Sequence, residues 1–233
     1  MPAKITERAT DYREVDRWDG GVGWIAHPDE YMQRASHVLK IDEGVWLIDP
    51  LDAEGIDDLI AEYGEVAGVV LLSNYHTRDA DVFAERHGVS VHLPEGINGI
   101  AEDLDAPVER MDVGDTLGGY ELLEVARRGK LWQEYALYDG KTLVVSESVG
   151  TAPYFLVGGE RLGVPILVRL TPPRESLGDL QPDRLLTGHG EGIDENAAEA
   201  LEDALANSRR RFPRALLSHG GKQIRTLTAA VRT

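Results

Sequence analysis

Cysteine is absent from this 233-residue chain. Its absence excludes disulfides, thiolate metal sites and a cysteine nucleophile. No run of about 18 apolar residues marks a membrane span. The opening Met1-Pro2-Ala3-Lys4 is charged and has no apolar core of the secretory kind, so a cytoplasmic location is expected. Repeats, linkers and low-complexity tracts are missing too, and one domain over 1–233 is expected. Residues 1–35 would form lead-in strands and 213–233 a C-terminal extension. Lysine is scarce: 5 of the 24 cations, against 19 arginines.

Acid is what the chain has in excess. Asp and Glu number 41, the net charge is −17, and the acids are spread along the whole length. Such a surface keeps a protein dispersed by self-repulsion, which destabilises the fold unless salt screens it. An acidic, lysine-poor composition of this kind suits a halophilic cytoplasm. A field of this sign repels phosphate backbones, so nucleic acid is not expected as a partner, nor is a membrane. A small-molecule ligand is the expected partner, and oligomeric state is left open. Hydrophobic content of 42% is enough for a buried core.

Strand and helix patterns alternate through the first half. Ser36 to Ile41 and Val45 to Ile48 read as a hairpin across Asp42-Glu43-Gly44. Ile56, Leu59 and Ile60 share one face of a short helix. Val66 to Leu72 is a continuous apolar run, the mark of a fully buried strand. A helix is expected from Asp79 to Arg86, ended by His87-Gly88, and a strand from Val89 to Leu93. From Val108 the chain changes to short strands: Tyr120 to Val125, Tyr135 to Tyr138 and Leu143 to Val145, with a turn at Asp139-Gly140. Residues 153–173 read as an irregular insertion or lid. Arg184 to Thr187 is a strand, and a helix is expected from Glu195 to Arg211, closed by Arg209-Arg210-Arg211 and stopped by Pro213. The alternation points to an α/β fold.

Ser73-Asn74-Tyr75-His76-Thr77-Arg78-Asp79, at the exit of the buried strand, resembles the His-x-His-x-Asp-His signature of the metallo-β-lactamase superfamily. Four further pieces follow in that family's order. They are Val45 to Asp49, Asp112-Val113-Gly114-Asp115-Thr116-Leu117, Leu143-Val144-Val145-Ser146-Glu147, and Leu185-Leu186-Thr187-Gly188-His189-Gly190. The resemblance implies a four-layer αββα sandwich with the site at one edge of the two sheets. It also implies an eroded metal site. His76 and His189 are kept, and Glu147 stands for the bridging Asp. Asn74, Arg78, Asp79 and, by alignment of Arg128-Gly129-Lys130, Lys130 replace the other four ligands. Neither Arg nor Lys is a ligand for a divalent metal.

Three functions compete on these residues. The first is a repurposed or structural pocket that is no di-zinc hydrolase, with no cofactor favoured; Arg78 and Lys130 would pair with Asp79 and Glu147. The second is a metal-free site for a small anion, clamped by Arg78 and Lys130, with Arg127 or Arg128 assisting and Asn74, Asp79 and Asp49 alongside. The third is a mononuclear hydrolase with one Zn, Mn or Fe ion on His76, Glu147 and His189, with Asp79 as a further ligand. If the chain is an enzyme, His76 or His189 is the base and Glu147 the acid. His27, His37, His87, His92 and His219 are expected at the surface or in loops, Trp18, Trp24 and Trp46 in the core, and Trp132 at the pocket.

Overall fold

The computed structural model describes residues 2–42 and 44–230, the side chains of 219–230 excepted. Glu43 of the expected hairpin turn, the side chain of His219 and the last three residues of the C-terminal extension lie outside the described residues.

Strands β1 (Arg13–Trp18), β2 (Gly21–Ile25), β3 (Ala35–Ile41) and β4 (Gly44–Ile48) form an antiparallel meander. After α1 (Ile56–Ala61), β5 (Glu65–Val70) adds parallel to β4; after α2 (Ala80–His87), β6 (Val91–Pro94) and β7 (Val108–Met111) extend the sheet in parallel. The result is a seven-stranded sheet in chain order. β5 sits inside it. Its second half, Gly68 to Val70, is buried on both faces, while Glu65 and Ala67 at its start remain exposed, so the expected full burial holds only for the end that leads to the site. A second sheet holds β8 (Thr116–Leu117), β9 (Tyr120–Arg127), β10 (Gln133–Tyr138), β11 (Thr142–Val145) and β12 (Arg184–Thr187), in the order β12-β11-β10-β9-β8. Its β11–β12 pair is parallel; the other pairs are antiparallel.

Leu122, Leu137, Val144 and Leu186 of the second sheet share one core with Val38, Leu47 and Val70 of the first. That core also takes in Ile56, Leu59 and Ile60 of α1 and Phe83 of α2. On the far side of the second sheet, Ala136, Leu143 and Leu185 pack against Leu177 of α3 (Arg174–Leu177) and Leu201 and Leu205 of α4 (Ala197–Ala230). Helix, sheet, sheet, helix is the α/β sandwich the motif order implies.

The last helix departs from expectation. It runs 34 residues and carries Pro213 inside it. Proline deletes one N–H and crowds the carbonyl four residues back, a cost of about 3 kcal/mol confined to one turn. Good helix formers on both sides, Arg209 to Arg211 and Arg214 to Leu217, carry the helix past it. The arginine triplet is therefore interior to the helix: Arg211 pairs with Asp203 at 2.6 Å and Arg209 donates to the Leu170 carbonyl at 2.8 Å. The expected lid, 153–173, has neither helix nor strand, but it is packed, with Leu162, Val164 and Val168 in the core. Among the described residues no helix is long and apolar enough to cross a membrane.

Candidate functional site

The C-terminal ends of β4 and β5 in one sheet and of β11 and β12 in the other face one another, and each strand leads to a site residue. Asp49 follows β4, His76 lies in the turn after β5, Glu147 follows β11 and His189 follows β12. Such strand ends are where α/β sheets present side chains to ligands. Bridges Ser73↔Glu134 and Arg34↔His189 bring the sheets together here. Two non-glycine residues at the floor, Asp49 (φ 47) and Arg78 (φ 45), are left-handed. That conformation is uncommon for such residues and clusters at functional sites. Above the floor opens a cavity of about 570 Å³, bordered by Met32, Trp132, Tyr154, Phe155 and Leu167 as well as by the charged groups.

His76 is the hub. Its Nδ1 donates to Asp49 Oδ2 at 2.8 Å, and its Nε2 lies 2.6 Å from Glu147 Oε1. Carboxylates only accept, so a ring protonated on both nitrogens would satisfy both contacts. Asp49 also accepts from Ser146 Oγ at 2.5 Å and from the Leu72 N–H at 3.0 Å. His189 donates from Nδ1 to the Met32 carbonyl at 2.9 Å. That bond turns its Nε2 to the cluster, 3.3 Å from His76 Nε2 and 3.5 Å from Glu147 Oε1. Arg78 is clamped by carbonyls: Nη1 donates to Ala35 at 2.5 Å and to Asp49 at 2.7 Å, and Nη2 donates to Gly188 at 3.1 Å. Its Nη2 stands 3.1 Å from His76 Nε2, and its buried Nε has no partner among the described residues.

The titration shifts follow from this packing. Burial pushes the Glu147 carboxyl up, but the adjacent His76 and His189 outweigh it and hold the group well below the usual carboxylate range. Asp49 is likewise pushed up by burial and pulled below its ordinary value by His76 and Arg78. For His76, burial and Arg78 act downward, and the charges of Asp49 and Glu147 win, leaving it raised. Burial lowers Arg78 to about 10. Glu147 is thus held toward its carboxylate form.

The expected cation network is only partly assembled. Lys130 is exposed and stands apart from the residues bordering the cavity. It follows Gly129 (φ 59) in a tight turn closed by the Arg128 N–H to the Trp132 carbonyl, which aims it at solvent. Glu147 pairs with the two histidines instead. Asp79 borders the cavity but accepts from the Asp52 N–H at 2.7 Å, ahead of α2, and does not reach Arg78 or the His76–Glu147–His189 cluster. Asn74 fastens the β9–β10 hairpin, accepting from the Gln133 N–H at 2.8 Å and donating to the Lys130 carbonyl at 3.3 Å. Arg127 and Arg128 face a different cavity. His37 is buried on β3 beside Asp16, contrary to a surface placement, since β3 is covered on both faces. His27 lines the main cavity, as does Trp132, and Trp24 is core.

Sequence reasoning missed Glu134. This fully buried carboxylate on β10 accepts from the N–H groups of Glu147 (2.7 Å) and Ser148 (2.8 Å), from the Ser148 hydroxyl and from Trp132 Nε1 (3.0 Å). It holds the turn that presents Glu147. It follows Gln133 at the polar start of β10, ahead of the apolar Tyr135 to Tyr138, so local pattern gave no signal of its burial. Tyr154 and Phe155, packed on His189, come from the irregular segment and had none.

Neither a known family nor a curated protein matches this chain. Solved structures do. A B3 metallo-β-lactamase with an active-site glutamic acid is 12% identical, with 90% of this chain and 92% of that one covered and a TM-score of 0.55. A mono-zinc metallo-β-lactamase from Pseudomonas aeruginosa is 9% identical over 87% of this chain and 98% of that one, also at 0.55. An archaeal metallo-β-lactamase superfamily protein from Sulfolobus tokodaii is 11% identical over 75% and 79%, at 0.52. At these identities the likeness is one of fold: the chain has the metallo-β-lactamase fold.

Proposed function

We propose that this metallo-β-lactamase-fold chain is a small-molecule pocket in which Arg78 and protonated His76 supply the positive charge facing Asp49 and Glu147, and that it is no two-metal hydrolase. One observation carries this reading: the Arg78 guanidinium is locked by three backbone carbonyls with Nη2 3.1 Å from His76 Nε2. Two cations and two carboxylates balance, so the floor needs no further charge. A doubly charged ion beside Arg78 would meet repulsion of several kcal/mol at an effective dielectric of about 20. His189 Nε2 is the group left to act as a base on a bound molecule, and hydrolysis is the reaction class we assign if the pocket is catalytic. In the same reading the acidic surface suits a salt-rich cytoplasm.

A second reading has its own support. Tetrahedral metal bonds of about 2.0–2.1 Å set ligand atoms about 3.3–3.4 Å apart. His76 Nε2 to His189 Nε2 (3.3 Å) and His189 Nε2 to Glu147 Oε1 (3.5 Å) fit that spacing. Both outer nitrogens are pinned, as in metal-binding histidines. His76, Glu147 and His189 would hold one Zn, Mn or Fe ion, which would supply an activated water. The ion would have to displace the Nε2 proton and open the 2.6 Å His76–Glu147 contact.

Metal content by plasma mass spectrometry decides between them, on protein purified in high salt without chelators or a His-tag and then incubated with Zn²⁺. The expected result is no stoichiometric metal. About one ion per chain that disappears in His189→Ala would overturn the metal-free reading and establish the second.

A further inference from the structure

A second cavity, of about 410 Å³, lies where the end of β9, the 171–176 segment and α4 meet. Arg128, Arg174 and Arg209 border it, with Glu175 as the one acid among its lining residues. On a chain with 41 acids and 24 cations this is an inversion of the prevailing sign.

The partners of these arginines matter more than their number. Many surface arginines meet carboxylates: Arg8 with Asp52, Arg17 with Glu14 and Glu62, Arg86 with Asp52 and Asp57, Arg211 with Asp203. Arg110 and Arg161 donate to carbonyls instead, but each stands apart from the others. The three here donate to neutral oxygens. Arg128 Nη2 bonds the Thr171 carbonyl (2.8 Å) and hydroxyl (2.7 Å). Arg174 bonds the Leu205 and Ala206 carbonyls at 2.9 and 2.8 Å, and Arg209 Nε bonds the Leu170 carbonyl at 2.8 Å. Each guanidinium is oriented by these oxygens, and among the described residues none of the three has a carboxylate within ion-pair distance. Arg127 borders the cavity too, but its Nε lies 3.6 Å from Glu124. Pro172-Pro173 stiffens one wall by fixing φ.

Oriented guanidinium groups bordering one hollow match a tetrahedral oxyanion. We propose that this cavity binds a phosphoryl or sulfonyl group, free or carried on a small molecule, through Arg128, Arg174 and Arg209. The site is independent of the His76 pocket and of any reading of it.

Inorganic phosphate and sulfate are titrated into the full chain by isothermal calorimetry and thermal shift, at constant ionic strength set with KCl. Saturable binding is expected, with a matching rise in Tm over the chloride control. Arg209→Gln should weaken it about tenfold, the loss of one charge-assisted donor, and Arg128→Gln/Arg209→Gln should abolish it. Arg209 is exposed, so the single variant remains informative if the double variant does not fold. If these arginines only staple the 170–171 segment to α4, the variants lower Tm equally in phosphate and chloride, and the proposal fails. It fails also if phosphate stabilises no better than chloride, or if Arg78→Gln and not Arg209→Gln removes binding.

Discussion

Among the carboxylates buried against cations, Glu160 and Glu147 differ in what surrounds them. Glu160 forks onto Arg169 at 2.8 and 2.7 Å, with both side chains 1% exposed. Glu160 also accepts from the Val157 N–H, and Arg169 also donates to the Phe155 carbonyl. The pair ties together the irregular segment that seats Tyr154 and Phe155 on His189, and it borders neither cavity. Glu147 is 14% exposed, faces two imidazoles and borders the main cavity. Both systems balance their charges, so burial of charge alone does not mark a site. What separates them is access: Glu160 and Arg169 are enclosed by protein, while Glu147 and its two histidines border the main cavity.

The sharpest way to break this contrast is Arg169→Leu. Leaving Glu160 with only the longer contact to Arg211 (3.5 Å) should cost about 3 kcal/mol in denaturant unfolding. A loss under about 1 kcal/mol would mean the pair is no structural keystone. Arg78→Ala comes next, on the other side of the contrast. Removing a unit charge some 4 Å from an ion at an effective dielectric near 20 relieves about 4 kcal/mol per unit of ion charge. Zinc affinity, read by chelator competition, should therefore rise at least about tenfold; unchanged affinity would clear Arg78 of blocking metal. Glu134→Gln should cost about 1–3 kcal/mol, because donors aimed at a carboxylate would meet an amide. A change in Trp132 fluorescence should accompany it, since Trp132 Nε1 donates to Glu134.

The smallest expected effect is on pH dependence. Glu147 and Asp49 titrate below their ordinary 4.5 and 3.8, so their stabilisation is present above those values and is lost as pH falls through the folded values. His76 titrates above 6.5, so its share is present below that value and is lost as pH rises through the folded value. Glu134, raised by burial, opposes the carboxylates at the acid end. Stability should peak between the two limbs, and His76→Gln should flatten the alkaline one in unfolding curves taken across pH. An unchanged alkaline limb would show that His76 is not protonated at the hub.

Local pattern carried much of the fold. The Val66–Leu72 run announced β5, buried from Gly68 onward though exposed at Ala67, Asp139-Gly140 announced the β10–β11 hairpin, and Arg184–Thr187 the strand before His189. Pro213 misled because its cost is local while the good helix formers around it act over several turns. His37 misled because nothing in its own neighbourhood announces that both faces of β3 are covered.

Within the site, the sequence alone determined which residue types stand at the strand ends, because period and turn chemistry are written in neighbouring residues. It therefore placed His76, Glu147 and His189 at the exits of β5, β11 and β12, and put Arg78 where a ligand was expected. Only the tertiary structure decided who meets whom. It sent Lys130 to solvent, gave Asp79 to a backbone N–H, placed Glu134 under Glu147 and turned Arg128 toward a second hollow. Those outcomes depend on contacts between segments 27 to 113 residues apart, where angstrom-scale differences in packing choose the partner and adjacent residues hold no record of the choice.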